Sequence, residues 1–216
     1  MQVAEAPGEE LTARQQDVLD VALRLLVEEG DALTMTAVAQ RASCSKETLY
    51  KWFGDRDGLL TATVKWQASK VRVAAIDRAK LDLPSLTESL EQYASNWLEV
   101  ISSETSIALN RVAVSHASSD KKNLGAIVLE NGRLEMGRRL KPVLEAGRDA
   151  GLLAFDDAED AFRTFFGLVA RDVQIRLLLG DRLKLTSAAI ARDSAQATRQ
   201  FLALHGAQNR PASAGH

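Results

Sequence analysis

Lys46 can donate to the edge of a guanine, and its neighbour Glu47 can accept from the amine of a cytosine. The two stand between hydroxyls, Ser45 and Thr48. A mixed set of donors and acceptors at the start of a helix suits the reading of base edges in a DNA major groove. Plainer readings stand beside this one. Glu47 can be a solvated charge near a helix N-terminus, and Thr48 can serve helix packing.

These residues read DNA only if other elements place them. Met35, Val38, Ala39 and Ala42 fall at i, i+3, i+4 and i+7, which predicts a short amphipathic helix. Thr34 precedes it as an N-cap. Ser43-Cys44-Ser45 interrupts the pattern, and Ser45 caps a second short helix that starts at Lys46. Leu49, Trp52 and Phe53 fall on one side of that helix, with Lys46, Glu47, Tyr50 and Lys51 mostly on the other. This is the plan of a helix-turn-helix, whose second helix enters the major groove while the first crosses the backbone. Upstream, Thr12-x-x-Gln15 opens a supporting helix over 11–30 as a capping box. Val18, Leu19, Ala22, Leu25 and Leu26 form its apolar stripe, and Gly30 stops it. Arg14 can reach a phosphate, although a surface arginine is the simpler reading.

The stretch resembles the DNA-binding domain of the TetR (tetracycline repressor) family of transcriptional regulators. The resemblance runs through Thr34-x-x-x-Val38-Ala39, Ser45-Lys46-x-Thr48-Leu49-Tyr50-x-x-Phe53 and Asp57-Gly58-Leu59-Leu60. It departs at Ser43, where the family usually has Gly, and at Cys44, where Val is common. It departs again at Gly54, where Pro is common, and at Arg56, where Lys is common. The resemblance implies that Thr34, Tyr50, Lys51 and Arg56 meet phosphates while Ser45, Lys46, Glu47 and Thr48 meet bases. Cys44 then fills an apolar slot; a redox sensor is the alternative.

The chain has 216 residues and a net charge of −2, which by itself does not suggest a nucleic-acid partner. The local distribution does: residues 41–80 carry nine basic side chains against four acidic ones, a net +5. Scarce proline, plentiful Ala, Leu, Glu and Arg, and no β-branched alternation predict an all-α fold. No apolar run is long enough to span a bilayer and no signal peptide is evident, so a cytoplasmic protein is expected. One cysteine excludes an intrachain disulfide. The three histidines, His116, His205 and His216, offer no metal cluster, and no nucleophile–base spacing or phosphate loop occurs. An enzyme is therefore not expected, and neither is a cofactor or metal.

The expected organisation is a flexible tail at 1–10, a helix-turn-helix domain at 11–55, a linking helix at 56–80, an effector-binding and dimerisation domain at 81–205 and a flexible tail at 206–216. Asp55 caps the linking helix. Pro84 opens the next helix. Further helices are predicted over 107–116, 124–147, 158–179 and 187–204. This half resembles the branch of the family whose regulatory domain is similar to that of the AefR repressor. The resemblance rests on Glu130-Asn131-Gly132, Phe166-Gly167-Leu168 and Leu177-Leu178-Leu179-Gly180. Tyr93, Trp97, Met136, Phe162, Phe165 and Phe166 are candidates to line an effector cavity; plain core packing is the alternative for each. Apolar stripes on the last two helices predict a homodimer through a four-helix bundle. The expected function is a dimeric repressor released from a palindromic operator by a small molecule. Activation is open, and the rival is a helical interaction module with a decayed helix-turn-helix.

Overall fold

The capping box predicted at Thr12 forms: the Thr12 amide donates to Gln15 Oε1 at 2.8 Å and the Gln15 amide to Thr12 Oγ1 at 3.3 Å. It starts α1, Ala13–Glu29, in a computed structural model that describes residues 11–29, 33–72, 77–115 and 124–207. The tail at 1–10, Gly30, His116 and residues 208–216 lie outside the described residues. Ten further helical elements follow among the described residues. They are α2 (Met35–Arg41), α3 (Lys46–Phe53), α4 (Arg56–Ser69), α5 (Leu83–Ser102), α6 (Glu104–Ser115), α7 (Leu124–Val128), α8 (Glu135–Asp149), α9 (Ala158–Ala170), α10 (Val173–Leu178) and α11 (Ser187–His205). A π turn, Leu129–Leu134, joins α7 to α8. No strand occurs among the described residues; one antiparallel bridge, Leu153 with Gly206, ties the end of α11 to the α8–α9 connection. Gly206 and Ala207, expected at the start of the tail, are tied to the same connection, where the Ala207 amide donates to the Leu152 carbonyl at 3.0 Å.

Two cores organise these helices. One is built from α1–α4 and is almost wholly aliphatic, with Leu19, Leu26, Val38, Leu49, Leu59 and Leu60 at its centre. It continues onto α6 and α7 through Leu109, Val112, Ala113 and Leu124. Val21, off the expected stripe of α1, joins this same core, and α6 packs on α1. The other core joins α5, α8, α9 and α11 around Tyr93, Trp97, Phe162, Phe165 and Phe201. Helix α4 enters both, giving Leu59, Leu60 and Val64 to the first and Ala68 to the second, where Val71 follows it.

Three helices differ from their sequence-based extents. The linking helix, expected over 56–80, ends at Ser69. Ser69 Oγ turns back onto the Trp66 carbonyl at 2.7 Å. Arg139 of α8 then takes the carbonyls of Ala68 and Val71 at 2.9 and 3.2 Å, satisfying groups that a continuing helix would use. The helix expected over 158–179 breaks at Arg171, whose φ is 42°. Helix α10 docks instead on α6, where Arg111 donates to the carbonyls of Leu177 and Leu178. The helix expected over 124–147 is interrupted by the π turn, which holds Glu130-Asn131-Gly132.

Candidate nucleic-acid interface and ligand cavity

The turn between α2 and α3 is fixed by side chains from three directions. Thr34 Oγ1 accepts from the Ala37 amide at 3.1 Å, so α2 begins where expected. Ser45 Oγ accepts from the Thr48 amide at 3.0 Å and lies 2.9 Å from Thr48 Oγ1, closing the first turn of α3. Arg14 of α1 donates to the carbonyls of Ala42 and Ser43 at 2.5 and 3.2 Å. It is neither a free surface arginine nor extended outward; it clamps the turn. Ser43 has φ 51°, the left-handed region that favours glycine, which matches its position in the resembled pattern. Gly54 ends α3 with φ 76°, a value closed to proline.

Leu49 and Phe53 face the aliphatic core, with Trp52 half-buried beside them. This leaves Lys46, Glu47, Tyr50 and Lys51 exposed along one surface of α3, with Tyr50 53% exposed. Thr34 and Ser45 are exposed at the two helix starts, and Thr48 is half-buried. Arg56 is half-buried too: its Nε donates to the Leu33 carbonyl at 2.8 Å and so holds the α1–α2 connection. Cys44 packs half-buried against the same core.

A cavity of about 290 Å³ opens where the two cores meet. Its walls come from α4 (Val64, Gln67, Ala68), α5 (Trp97, Val100, Ile101), α6 (Ser106, Leu109, Asn110, Ala113), the π turn (Leu129, Gly132, Arg133), Met136 of α8, Phe166 of α9 and Gln174 of α10. Trp97, Met136 and Phe166, expected at an effector cavity, line it. Tyr93, Phe162 and Phe165 do not; all three are fully buried behind it. Their rings form the support: Tyr93 packs on Trp97 with centroids 5.9 Å apart and on Phe165 at 6.4 Å, and Trp97 meets Phe166 at 4.3 Å. Burial pushes the Tyr93 phenol above its ordinary range, so it stays neutral and donates to the Met136 carbonyl at 3.0 Å.

Polar groups on the cavity wall are few. Arg133 lies over the rings of Phe162 and Phe166, 5.0 and 5.3 Å from their centroids, and is steadied by Glu159 at 3.4 Å. Lys141 reaches the same carboxylate at 3.1 Å. Its hydrogen bond, aided by Arg133, holds Glu159 below the usual carboxylate range against the opposing cost of burial. Gln67 is 5% exposed. Sequence periodicity passes over Gln67, Arg133, Asn110 and Gln174. Gln67 alone left a signal, since it shares a helical stripe with Leu60, Val64 and Val71 at i, i+4, i+7 and i+11. Among the described residues no group of His, Cys, Asp and Glu is arranged to hold a metal ion, and no helix is long and apolar enough to cross a membrane.

Comparison with known proteins agrees with both regions. The profile of bacterial regulatory proteins of the tetR family matches residues 18–63, and that of the AefR-like transcriptional repressor C-terminal domain matches residues 88–207. A curated relative, the HTH-type transcriptional regulator BetI of Burkholderia mallei, is 38% identical over 73 residues, which are 31% of this chain and 37% of that protein. The match therefore spans well under half of the relative's length. A TetR transcriptional regulator from Agrobacterium tumefaciens is 45% identical, with a TM-score of 0.79 over 92% of this chain and 97% of its own. The flavonoid-responsive regulator FrrA is 27% identical, with a TM-score of 0.65 over 89% of this chain and 97% of its own. A helix-turn-helix head whose reading helix keeps its polar face free, carried on an AefR-like helical body, places this chain in the TetR family of transcriptional regulators.

Proposed function

We propose that the chain is a ligand-responsive repressor that binds a palindromic operator as a homodimer and releases it when a small molecule fills the cavity. The observation that carries this reading is that Val64, Leu109 and Ala113 belong to the core of the head and also line the cavity. A ligand there presses on the atoms that seat the head. It thereby favours whichever arrangement of α4 and α6 accommodates it. Residues 11–55 read DNA, 56–80 link, and 81–205 bind effector and dimerise.

Lys46 and Glu47 read base edges at the start of α3, flanked by Ser45 and Thr48. Thr34, Tyr50, Lys51 and Arg56 meet phosphates around it, with Arg56 doing so from a position already fixed by Leu33. Dimerisation through 158–180 and 187–204 is supported by Ile175, Leu179 and Leu204, exposed by 54, 81 and 63%; a sedimentation monomer at micromolar concentration would refute it. An apolar or aromatic effector suits walls formed by Trp97, Phe166, Met136 and aliphatic side chains, and FrrA, named for its response to flavonoids, points the same way.

The test is titration of four variants against a randomised operator library at two salt concentrations. Lys51→Ala and Tyr50→Phe weaken binding uniformly across sequences, and the lysine change lowers the salt slope by about one per contact. Lys46→Ala and Glu47→Ala change the preferred sequence, at about 1–3 kcal/mol per lost base contact. The half-sites lie about one helical turn, ~34–36 Å, apart. If no variant alters affinity, the helix-turn-helix is not the reading element and the interaction-module alternative replaces this one.

A further inference from the structure

Resting on the reading that the cavity is the effector site, we infer that its ligand is a small aromatic molecule carrying a hydrogen-bond donor, a phenol-type hydroxyl, that pairs with the side-chain carbonyl of Gln67. The argument starts from what Gln67 lacks. Its Nε2 donates to Ser103 Oγ at 3.1 Å, but its Oε1 is buried and has no hydrogen-bond partner. The orientation of the amide follows from the serine. Ser103 Oγ donates its one proton to the Val100 carbonyl at 2.7 Å, accepts from the Ser106 amide at 3.2 Å and stands 3.2 Å from Thr105 Oγ1, which with that proton committed is the donor of the pair. It can therefore only accept from Gln67, which turns the amide nitrogen toward Ser103 and leaves the carbonyl oxygen for the cavity. Gln67 is a wall residue of that cavity.

A buried acceptor without a donor is uncommon in folded proteins and calls for a partner. The surroundings define what that partner is attached to. Trp97, Phe166, Val100, Ile101 and Met136 offer flat and apolar walls. The volume of about 290 Å³ lies at the lower end of ligand pockets, which suits one or two rings. Among the described residues no carboxylate lines the cavity, so a cationic donor finds no counter-charge there, whereas a neutral hydroxyl needs none. Gln67 also sits one residue before Ala68, whose carbonyl Arg139 holds at 2.9 Å. A ligand hydroxyl on Gln67 thus acts on the end of α4, the helix that begins beside the reading helix. Gln67 is the specificity residue of the site, and the Gln67–Ser103 bond positions it.

The experiment compares 2-naphthol with 2-methoxynaphthalene, which keeps the oxygen and the rings but lacks the donor. Binding is measured by calorimetry on the full chain, on Gln67→Met, which keeps the length of the side chain without its acceptor, and on Gly132→Phe. Gly132 lines the cavity, and outside its own stretch of backbone no described atom stands within 4 Å of where a Cβ would be, so a ring added there at the cavity wall meets open space. Circular dichroism melting confirms that each variant is folded. The expected result is that 2-naphthol binds the natural chain about tenfold tighter than the ether, the scale of one hydrogen bond. That preference disappears in Gln67→Met, and Gly132→Phe weakens both probes. Equal binding of the two probes, or a preference that survives Gln67→Met, overturns the donor assignment. If Gly132→Phe still weakens both probes in that case, the cavity remains the effector site. Failure of both probes to bind the natural chain, or binding that Gly132→Phe leaves unchanged, overturns the inference and removes the cavity reading with it.

Discussion

The core beneath the reading helix is almost wholly aliphatic and meets the cavity through Val64, Leu109 and Ala113, whereas the one beneath α5 and α9 is aromatic and meets it through Trp97 and Met136. Around the head, hydroxyls and guanidinium groups are spent on holding the turn: Thr34, Ser45 and Arg14 each bond a backbone group of the α2–α3 unit. At the cavity, the buried amide of Gln67 keeps an acceptor without a partner. The difference teaches where adaptability resides. A head that holds the exposed polar face of α3 in fixed register gains from satisfied caps. A regulatory body that must change on ligand binding gains from space and from polar groups that only the ligand completes. The two meet at Val64, Leu109 and Ala113, so neither can shift without the other feeling it.

That comparison breaks first at its large buried side chains. Phe165 is fully buried and meets Tyr93 and Phe201 with centroids 6.4 and 5.2 Å away. Phe165→Ala is expected to cost about 3–5 kcal/mol, and Leu49→Ala in the head about 2–5 kcal/mol. Because α4 contributes to both cores, each variant should still unfold in one transition. Chemical denaturation followed by tryptophan fluorescence and far-ultraviolet circular dichroism checks this. Separated transitions would mean the cores are uncoupled, and ligand control of the head through shared walls would then fail.

Two serines in the turn sharpen the contrast, with opposite signs. Ser45→Ala removes the N-cap of α3 and should lower stability by about 1 kcal/mol, with a larger loss of operator binding as the helix start frays. Ser43→Gly relieves a left-handed backbone at φ 51°, partly offset by greater freedom of the unfolded chain. A gain below about 1 kcal/mol is expected. Thermal midpoints of the two variants measure both effects; a loss on Ser43→Gly would show that the serine side chain supports the turn.

The smallest effect belongs to the edge of the cavity. Glu159 is held below the ordinary carboxylate range, chiefly by its hydrogen bond from Lys141. A carboxyl whose folded value is depressed stabilises the fold above its unfolded value, about 4.3. That contribution fades as pH falls through the folded value. Its side chain is 37% exposed, so the contribution stays below about 1 kcal/mol. Glu159→Gln should lower the melting midpoint slightly at pH 7, and the gap to the natural chain should narrow as pH drops below 4. A gap independent of pH would assign the effect to packing of Arg133 on its two rings.

Elements with local signals are legible in the residues alone. The hydroxyl caps at Thr34 and Ser45, the stripe of Met35, Val38 and Ala39, and the outward face of Lys46, Glu47, Tyr50 and Lys51 follow from spacing within one or two turns. A helix start is written in residues three apart, and a helix face in residues three and four apart. The capping box at Thr12 and the proline at the start of α5 are of the same kind. The remainder depends on partners distant in the chain. Helix α4 stops at Ser69, where Arg139, some 70 residues on, takes the carbonyls of Ala68 and Val71. The helix after Asp157 breaks at Arg171, and α10 docks where Arg111 holds its end. Of six candidates for the effector cavity, Trp97, Met136 and Phe166 face it while Tyr93, Phe162 and Phe165 stand behind. All six are large and apolar, and periodicity gives each a buried side without saying whether atoms or space lie opposite. Gln67 reads from sequence as one polar residue in an apolar stripe; only the bonds around Ser103 decide that its oxygen is the one left open.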